Sequence, residues 1–161
     1  MRSLSPVEAA LCVAVGGSVL AVGIPAFVRD LHASRLVEPI DGLNRIAAAA
    51  AARAVSEPAV TPYPESVGRT PSVVPMGKPA QDPPGTWEHP TWASLGFGFG
   101  RPHSYSFELT SEGRGRRARY RAAAYGDLDG DGQLSEFSVR GELVEGREPV
   151  TFPMEMYREI E

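Results

Sequence analysis

The 161-residue sequence contains a single cysteine, Cys12, so it has no pair that could form an intramolecular disulfide. Cys12 lies in an apolar run, where the expected role is that of a small buried hydrophobic residue. The sequence also lacks a nucleophile–base pair, a phosphate-binding loop and paired acids in an apolar stretch. We therefore do not expect this chain to be an enzyme.

Blocks of one charge are also missing. The net charge is −4, which is too small to indicate a partner, and no basic block suggests nucleic acid. Five arginines fall between Arg114 and Arg121, but an acidic segment follows them. We interpret these arginines as the solvated face of a strand and not as a binding patch.

What the sequence does have is a long apolar run at its start. The twenty residues from Ala9 to Val28 carry no charge, which is about the length that a helix needs to cross the ~30 Å core of a bilayer. Glu8 stands directly before this run. A carboxylate at such a depth is costly unless it is paired or protonated, so it indicates a function.

The same helix is expected to continue well beyond the apolar run. From Leu43 to Val55 the chain is rich in alanine, and the pattern predicts one helix from Val7 to Val55 in which Pro39 is a point of possible bending. Apolar residues recur at helical spacing in this second part and are expected to pack on a sheet: Leu36, Leu43, Ile46 and Ala50.

Three interpretations of the first 28 residues compete. A secretory signal peptide would use Arg2 as its basic end and Ala21-Val22-Gly23 as its cleavage site, but Glu8 fits poorly before its apolar core. A plain signal anchor, with Arg2 on the cytoplasmic side, leaves Glu8 unexplained. The third interpretation is a helix that serves first as an anchor and later in assembly.

This third interpretation comes from a resemblance over residues 4–54. The residues that carry it are Glu8, Gly17, Ser18, the segment Ile24-Pro25-Ala26-Phe27, Leu31, Ser34, Glu38 and the segment Leu43-Asn44-Arg45-Ile46. This stretch resembles the N-terminal helix of type IV pilins, including the spacing from Glu8 to Pro25. The resemblance implies an inner-membrane anchor that becomes the core of a helical filament made of copies of this chain.

The resemblance also implies roles for particular residues. Glu8 would pair with the N-terminal amine of a neighbouring subunit. The residues themselves add that Gly17 suits close helix packing and that Pro25 is expected to kink or locally melt the helix. A short leader, residues 1–3, would be removed by a prepilin peptidase between Ser3 and Leu4, and the pilus assembly machinery would be a further partner. The family expects glycine and phenylalanine at these last two positions, where this chain has serine and leucine.

A proline-rich connection follows the helix, at residues 56–91. Nine prolines between Glu57 and Pro90 exclude a helix and leave little room for regular sheet. We expect an extended surface segment here. Trp87 and Trp92 close the segment and are expected to cap a small core.

The remaining residues, 92–161, show the alternation of a sheet. Apolar and polar residues alternate in the three segments 104–109, 117–122 and 137–141, which predicts an antiparallel meander. Glu108 and Arg119 are expected to face each other across the first hairpin, and the tail from Pro149 is expected along a sheet edge. The predicted fold class is α+β and pilin-like, with residues 29–55 of the helix packed on three to four strands.

The loop at residues 126–137, GDLDGDGQLSEF, is the second candidate site. Asp127, Asp129 and Asp131, followed by Gly132, match the opening of an EF-hand calcium loop. Further ligands would be the Gln133 backbone carbonyl and Ser135, through its hydroxyl or a bridging water. The acid that closes such a loop is absent, since Ser138 stands in its place, and Asp-Gly repeats also form ordinary turns. Calcium binding and a metal-free turn both remain open.

The leading hypothesis from the sequence is a structural subunit of a type IV pilus-like filament, either a major or a minor pilin. The C-terminal domain would be periplasmic or extracellular. Within the same family, a type II secretion pseudopilin would have the same features. The alternative is an anchored or secreted periplasmic domain that binds calcium and never polymerises.

Overall fold

The computed structural model describes residues 6–56, 61–115, 117–144 and 148–158, with the side chains of residues 9, 12 and 26–35 left outside the description. Over these ranges the chain is α+β, as expected, with two helices and one antiparallel sheet. The chain forms two compact units, Met1–Leu36 and Val37–Glu161. All of the strands belong to the second unit.

The elements follow one another along the chain as two helices and six strands, with these bounds: α1 Pro6–Ser56, β1 Val67–Thr70, α2 Pro90–Leu95, β2 Tyr105–Glu112, β3 Arg117–Gly126, β4 Ser135–Val144, β5 Val150–Thr151 and β6 Glu155–Tyr157. The predicted long helix is therefore confirmed in extent. It stays α-helical through both Pro25 and Pro39, so the expectation of a melted turn at Pro25 was wrong, and Pro39 is buried.

The strands are ordered β1-β2-β3-β4-β5, and β6 also pairs with β4. The predicted meander is β2-β3-β4, but the expectation of three to four strands was too low. The proline-rich connection supplies β1, which an edge position allows because an edge strand leaves half of its backbone groups unpaired. The tail supplies β5 and β6, two and three residues long, which is too short to show an alternating pattern.

The core lies on one face of the central strands. Cross-strand rows join Phe107 to Ala124 and Phe137, and Leu109 to Ala122 and Val139. All of these side chains are at most 3% exposed. On β3 the alternation also holds, with Ala118, Tyr120 and Ala122 buried and the intervening arginines exposed or half-buried.

The second part of α1 covers this face of the sheet. Leu43, Ile46 and Ala50 are completely buried, as the helical spacing predicted, and Leu36 is half-buried. Gly42 lies directly over the Phe107 ring, since a Cβ built on Gly42 would stand 2.5 Å from the nearest ring carbon. Helix and sheet are thus in close contact at a position where only glycine fits.

Glu38 joins α1 to the start of β2 by hydrogen bonds. Its Oε1 accepts from the backbone N–H of Ser104 at 2.8 Å and of Tyr105 at 3.0 Å. Burial raises the pKa of Glu38 above its ordinary value of 4.5, and these two N–H groups oppose that effect by favouring the charged form. The net shift is upward, so removing this carboxylate from water outweighs the two bonds.

An aromatic cluster closes one end of the core. Trp87 contacts the rings of Trp92, Phe97, Phe99 and Phe107 at centroid distances of 5.5 to 6.4 Å. Trp92 is fully buried, and its indole N–H donates to the Thr70 hydroxyl at 3.0 Å. The prediction that the two tryptophans cap a small core is therefore confirmed.

The opposite face of the sheet carries ion pairs. Arg119 bonds to Glu112, Arg121 to Glu136, and Arg140 to Glu155. The expected pairing of Glu108 with Arg119 was wrong, because β2 runs on to Glu112 and the register sets Glu108 opposite Ala123. The pairs of Arg119 and Arg140 are exposed and contribute little to stability, whereas the Arg121–Glu136 pair is half-buried.

Candidate functional site

The acidic loop connects the two longest strands of the sheet. The last pair of the β3–β4 ladder is Gly126 with Ser135, so residues 127–134 span a hairpin end. The neighbouring strand β2 begins at the same level, with Tyr105 opposite Gly126. The loop therefore rests on a fixed three-strand base.

Asp127 shapes the loop from inside. Its side chain is 1% exposed, and its two oxygens accept from the backbone N–H of Gly130 at 2.7 Å and of Gly132 at 3.1 Å. Both glycines have φ above +80°, a backbone conformation that residues other than glycine rarely adopt. The Asp-Gly repeats of the sequence are explained by this turn.

Asp129 and Asp131 are exposed and continue the same pattern. Asp129 Oδ1 accepts from the Asp131 N–H at 3.1 Å, and Asp131 Oδ1 accepts from the Gln133 N–H at 2.7 Å. The Gln133 side-chain amide also donates to Asp131 Oδ2 at 2.8 Å. Two hydrogen bonds from Gln133 lower the pKa of Asp131 below its ordinary 3.8, and the one from the backbone N–H has the larger effect. This carboxylate is therefore charged at neutral pH.

The three carboxylates converge. One oxygen from each of Asp127, Asp129 and Asp131 lies within 4.8 Å of the other two. Hard cations such as Ca²⁺ take carboxylate oxygens in this way, and the two exposed aspartates leave a path from solvent. The structure thus brings together the three aspartates that the sequence singled out.

Of the other two predicted ligands, the Ser135 hydroxyl has a partner of its own, and the Gln133 backbone carbonyl stays a prediction. The Ser135 side chain is buried in β4, and its hydroxyl donates to the Gly126 carbonyl at 3.1 Å. The Gln133 side chain, in addition to its bond to Asp131, accepts from Arg158 at 2.9 Å. Glu136, the nearest acid beyond the loop, is bonded to Arg121. An ion at the aspartates would need further oxygens from water or from the backbone.

The acidic loop is also bonded to the proline-rich connection. The Gly77 N–H donates to the Asp127 carbonyl at 2.8 Å, and Met76 forms a bridge with Asp127. A Cβ on Gly130 would lie 3.5 Å from the Gly77 backbone, so the two segments are in van der Waals contact. A change in the conformation of the acidic loop would therefore alter its contacts with Met76 and Gly77.

A shallow cavity of about 420 Å³ lies on the charged face of the sheet. Arg119, Arg121, Arg140, Glu112 and Glu142 are among its lining residues. Guanidinium and carboxylate groups alternate there, and the three arginines are the ones paired with glutamates. The mixed charge fits the predicted solvated face and favours no class of ligand.

The predicted assembly residues lie in the first unit. Glu8 is exposed in the first turn of α1, and Pro25 is exposed further along it. Outside the helix's own backbone, no described atom lies within 4 Å of a Cβ built on Gly17. The predicted processing site, Ser3 and Leu4, falls outside the described residues.

The first part of α1 exposes its apolar side chains. Residues Pro6–Pro25 are long and apolar enough to cross a membrane by length and composition, and none of the described side chains of this span is buried in the protein. Its exposed large residues are Val7, Leu11, Val13, Val15, Val19, Leu20, Val22 and Ile24. A signal sequence near an N-terminus has the same length and composition.

Sequence reasoning did not find the contact between His103 and Asp82. His103 is 1% exposed and contacts Asp82, a residue of the proline-rich connection. The two positions are separated by 21 residues and belong to no recognised motif. The sequence therefore offered only a basic and an acidic side chain, with nothing to pair them. The tertiary fold is what brings them together.

Comparison with known proteins gives no relative: no family model, no curated protein and no solved structure matches this chain.

Proposed function

We propose that this chain is a membrane-anchored structural subunit of a type IV pilin-like filament. The observation that carries the proposal is the division of α1: its first part exposes an apolar surface of membrane length, and its second part is buried against an antiparallel sheet. One helix of 51 residues is far longer than a bilayer requires. An anchor that later packs against sister helices accounts for both parts.

Glu8 has the central role in this proposal. A charged group in an apolar filament core is stable only with a partner of opposite charge, and breaking such a pair costs several kcal/mol, about 3–5. The partner would be the N-terminal amine of the next subunit. Registering each new subunit by one ion pair would set the axial step of the filament.

The experiment that tests this role is Glu8→Ala, with filaments counted by electron microscopy of sheared material from cells. We expect membrane insertion to persist and filaments to be lost, because insertion depends on the apolar run and assembly on the carboxylate. Ser18→Ala is the matched control in the same part of the helix, since the Ser18 hydroxyl is already bonded to the Ala14 carbonyl at 2.8 Å. Unchanged filament yield in Glu8→Ala would refute the proposal.

The start of the mature protein separates this proposal from its alternatives. Mass measurement and N-terminal sequencing of the protein from cells should give a start at Leu4, with methylation as further support. A start at Ile24 would indicate a cleaved signal peptide and would rule out a pilin-like anchor.

A second proposed activity is binding of a divalent cation, with calcium first, by the acidic loop. The observation that favours it is the convergence of one oxygen from each of Asp127, Asp129 and Asp131 within 4.8 Å. Like charges at this distance repel, and a cation would relieve that repulsion. This activity does not depend on polymerisation and would also suit an anchored domain that stays single.

The test is thermal unfolding of the full chain in mild detergent, with and without millimolar calcium. We expect calcium to raise the melting temperature of the wild type but not of Asp129→Asn, because this variant loses an exposed carboxylate ligand. Asp41→Asn, an exposed aspartate on α1, is the control and should respond like the wild type. An equal melting temperature with and without calcium would leave the loop as a turn only.

A further inference from the structure

Two Asp-Gly pairs stand side by side in the acidic loop, Asp129-Gly130 and Asp131-Gly132. All four residues are exposed to solvent. Asp-Gly is the dipeptide in which aspartate isomerises most readily, because glycine has no side chain to hinder its own backbone nitrogen. Each pair is therefore a point at which the covalent structure of the loop can change with time.

The isomerisation begins at the backbone nitrogen of the glycine. This nitrogen attacks the side-chain carboxyl carbon of the preceding aspartate, so that a new N–C bond closes a succinimide ring. The N–H proton and the carboxyl O–H group leave together as water. A water molecule then opens the ring at the main-chain carbonyl, which gives isoaspartate. The product has the same mass, but its backbone runs through the former side-chain carbon.

Asp127 holds the N–H group of both glycines. Its Oδ1 accepts from Gly130 at 2.7 Å, and its Oδ2 accepts from Gly132 at 3.1 Å. Asp127 is only 1% exposed, so water has little access to replace either bond. A glycine nitrogen must give up its proton to attack, and it must first leave the Asp127 oxygen that accepts this proton. Both hydrogen bonds therefore oppose the first step of isomerisation.

A third Asp-Gly pair, Asp41-Gly42, is held in a different way. It lies inside α1, where the Gly42 N–H belongs to the hydrogen bonding of the helix. Residues 127–134 lie between β3 and β4 and belong to neither a helix nor a strand. In this loop a buried side chain takes the place that the helix backbone has at Gly42.

We propose that Asp127 protects the two loop pairs from isomerisation by holding the backbone N–H of each glycine. Isoaspartate at either pair would add a carbon to the backbone of the loop and move a carboxylate from its place in the turn. The loop is also bonded to the proline-rich connection through the Gly77 N–H, so the change would reach that contact. The protection requires neither filament assembly nor cation binding, so it stands apart from both proposed functions.

The experiment measures isoaspartate in the full chain, kept for several weeks near neutral pH in mild detergent with a chelator. Trypsin places the loop pairs and Asp41 in different peptides, residues 122–140 and 36–45, and electron-transfer fragmentation locates isoaspartate in each. We expect Asp127→Ala to raise its rate of formation at Asp129 and Asp131 at least about fivefold, as for the loss of a buried hydrogen-bond partner. The rate at Asp41 should stay that of the wild type.

Ser135→Ala is the matched control. It removes the hydroxyl bond to the Gly126 carbonyl at the base of the same loop and leaves both glycine N–H bonds in place. Its loop pairs should isomerise at the wild-type rate. Equal loop rates in the wild type and Asp127→Ala would overturn the proposal, and so would an equal acceleration by Ser135→Ala.

Asp41 also reports whether Asp127→Ala is folded, because its own rate rises when α1 opens. If it rises, Asp127→Asn decides: the amide keeps one of the two accepting oxygens, so at least one loop pair should isomerise faster, and wild-type rates at both pairs would refute the protection. The wild type in urea is a further measurement that needs no variant. Loop rates as high in the folded wild type as in urea would show that the nitrogens are not held.

Discussion

The two parts of α1 have similar small and apolar residues but opposite surroundings. Near its start, a Cβ built on Gly16, Gly17 or Gly23 would meet no described atom beyond the helix backbone within 4 Å, whereas a Cβ on Gly42 would enter the Phe107 ring. Val13 and Val22 are 75% and 74% exposed, and Leu43 and Ile46 are 0% exposed. The comparison teaches that helical character alone does not tell a core helix from a surface that awaits a partner or a bilayer.

The largest effect should come from removing a buried side chain in the second part. Ile46→Ala should reduce the free energy of unfolding by about 2–5 kcal/mol, since it deletes methyl groups from a closed core. Val19→Ala, in the exposed part, should change it by less than about 0.5 kcal/mol. Guanidinium unfolding in mild detergent, followed by tryptophan fluorescence, measures this because both tryptophans lie in the second unit. Equal losses in the two variants would contradict the division of the helix.

A smaller effect is expected from adding one methyl group. Gly42→Ala gains about 1 kcal/mol of helix propensity. It also forces a Cβ to within 2.5 Å of a Phe107 ring that is completely buried and cannot move aside. Overpacking of this kind costs about 1–3 kcal/mol, and the very short distance places it in the upper part of that range, so we expect net destabilisation.

Gly17→Ala is the matched comparison, because it gains the same propensity without a neighbour to meet. The same fluorescence-detected unfolding should show no loss for Gly17→Ala. If Gly42→Ala were as stable as the wild type, this result would contradict the close contact between Gly42 of α1 and Phe107 of β2.

The smallest effect concerns Glu38 and pH. The pKa of Glu38 is raised above its ordinary 4.5, mainly by burial, so the folded chain holds this proton more firmly than the unfolded chain. Stability is therefore greatest below pH 4.5 with respect to this group, and it decreases as the pH rises from 4.5 through the folded-state pKa. Above that pKa the contribution is constant.

Glu38→Gln should remove this decrease, because the amide oxygen still accepts from the N–H groups of Ser104 and Tyr105 but cannot ionise. Guanidinium midpoints measured from pH 4 to 7 would show the difference. Glu65→Gln, at an exposed position, should keep the wild-type pH dependence. If the midpoint of Glu38→Gln changed with pH in the same way as that of the wild type, another group would be responsible for the pH dependence.

Much of the fold could be read from local patterns. The single apolar run predicted the exposed part of α1, helical spacing predicted the buried Leu43, Ile46 and Ala50, and alternation predicted the three central strands. These succeed because each pattern is repeated several times within one element. Strand β1, between prolines, and the two short strands of the tail had too few residues to repeat a pattern, so they were missed.

The candidate sites divide in the same way. Asp127, Asp129 and Asp131 are close in sequence, so a local turn was enough to bring them together and the sequence could find them. The Ser135 side chain instead bonds to a backbone oxygen, because β4 begins at this residue and turns its side chain inward. The hairpin register that fixed this was also what corrected the Glu108–Arg119 pairing.

The sequence by itself determined which stretch is helical, which stretch is apolar enough for a membrane, and where the acidic turn lies, since all three depend on neighbours along the chain. The tertiary structure decided that Glu38 bonds to the start of β2 and that His103 meets Asp82 of the proline-rich connection. Contacts of this kind are made through space, so a histidine and an aspartate 21 residues apart come within hydrogen-bonding distance only when the sheet and the proline-rich connection are folded together.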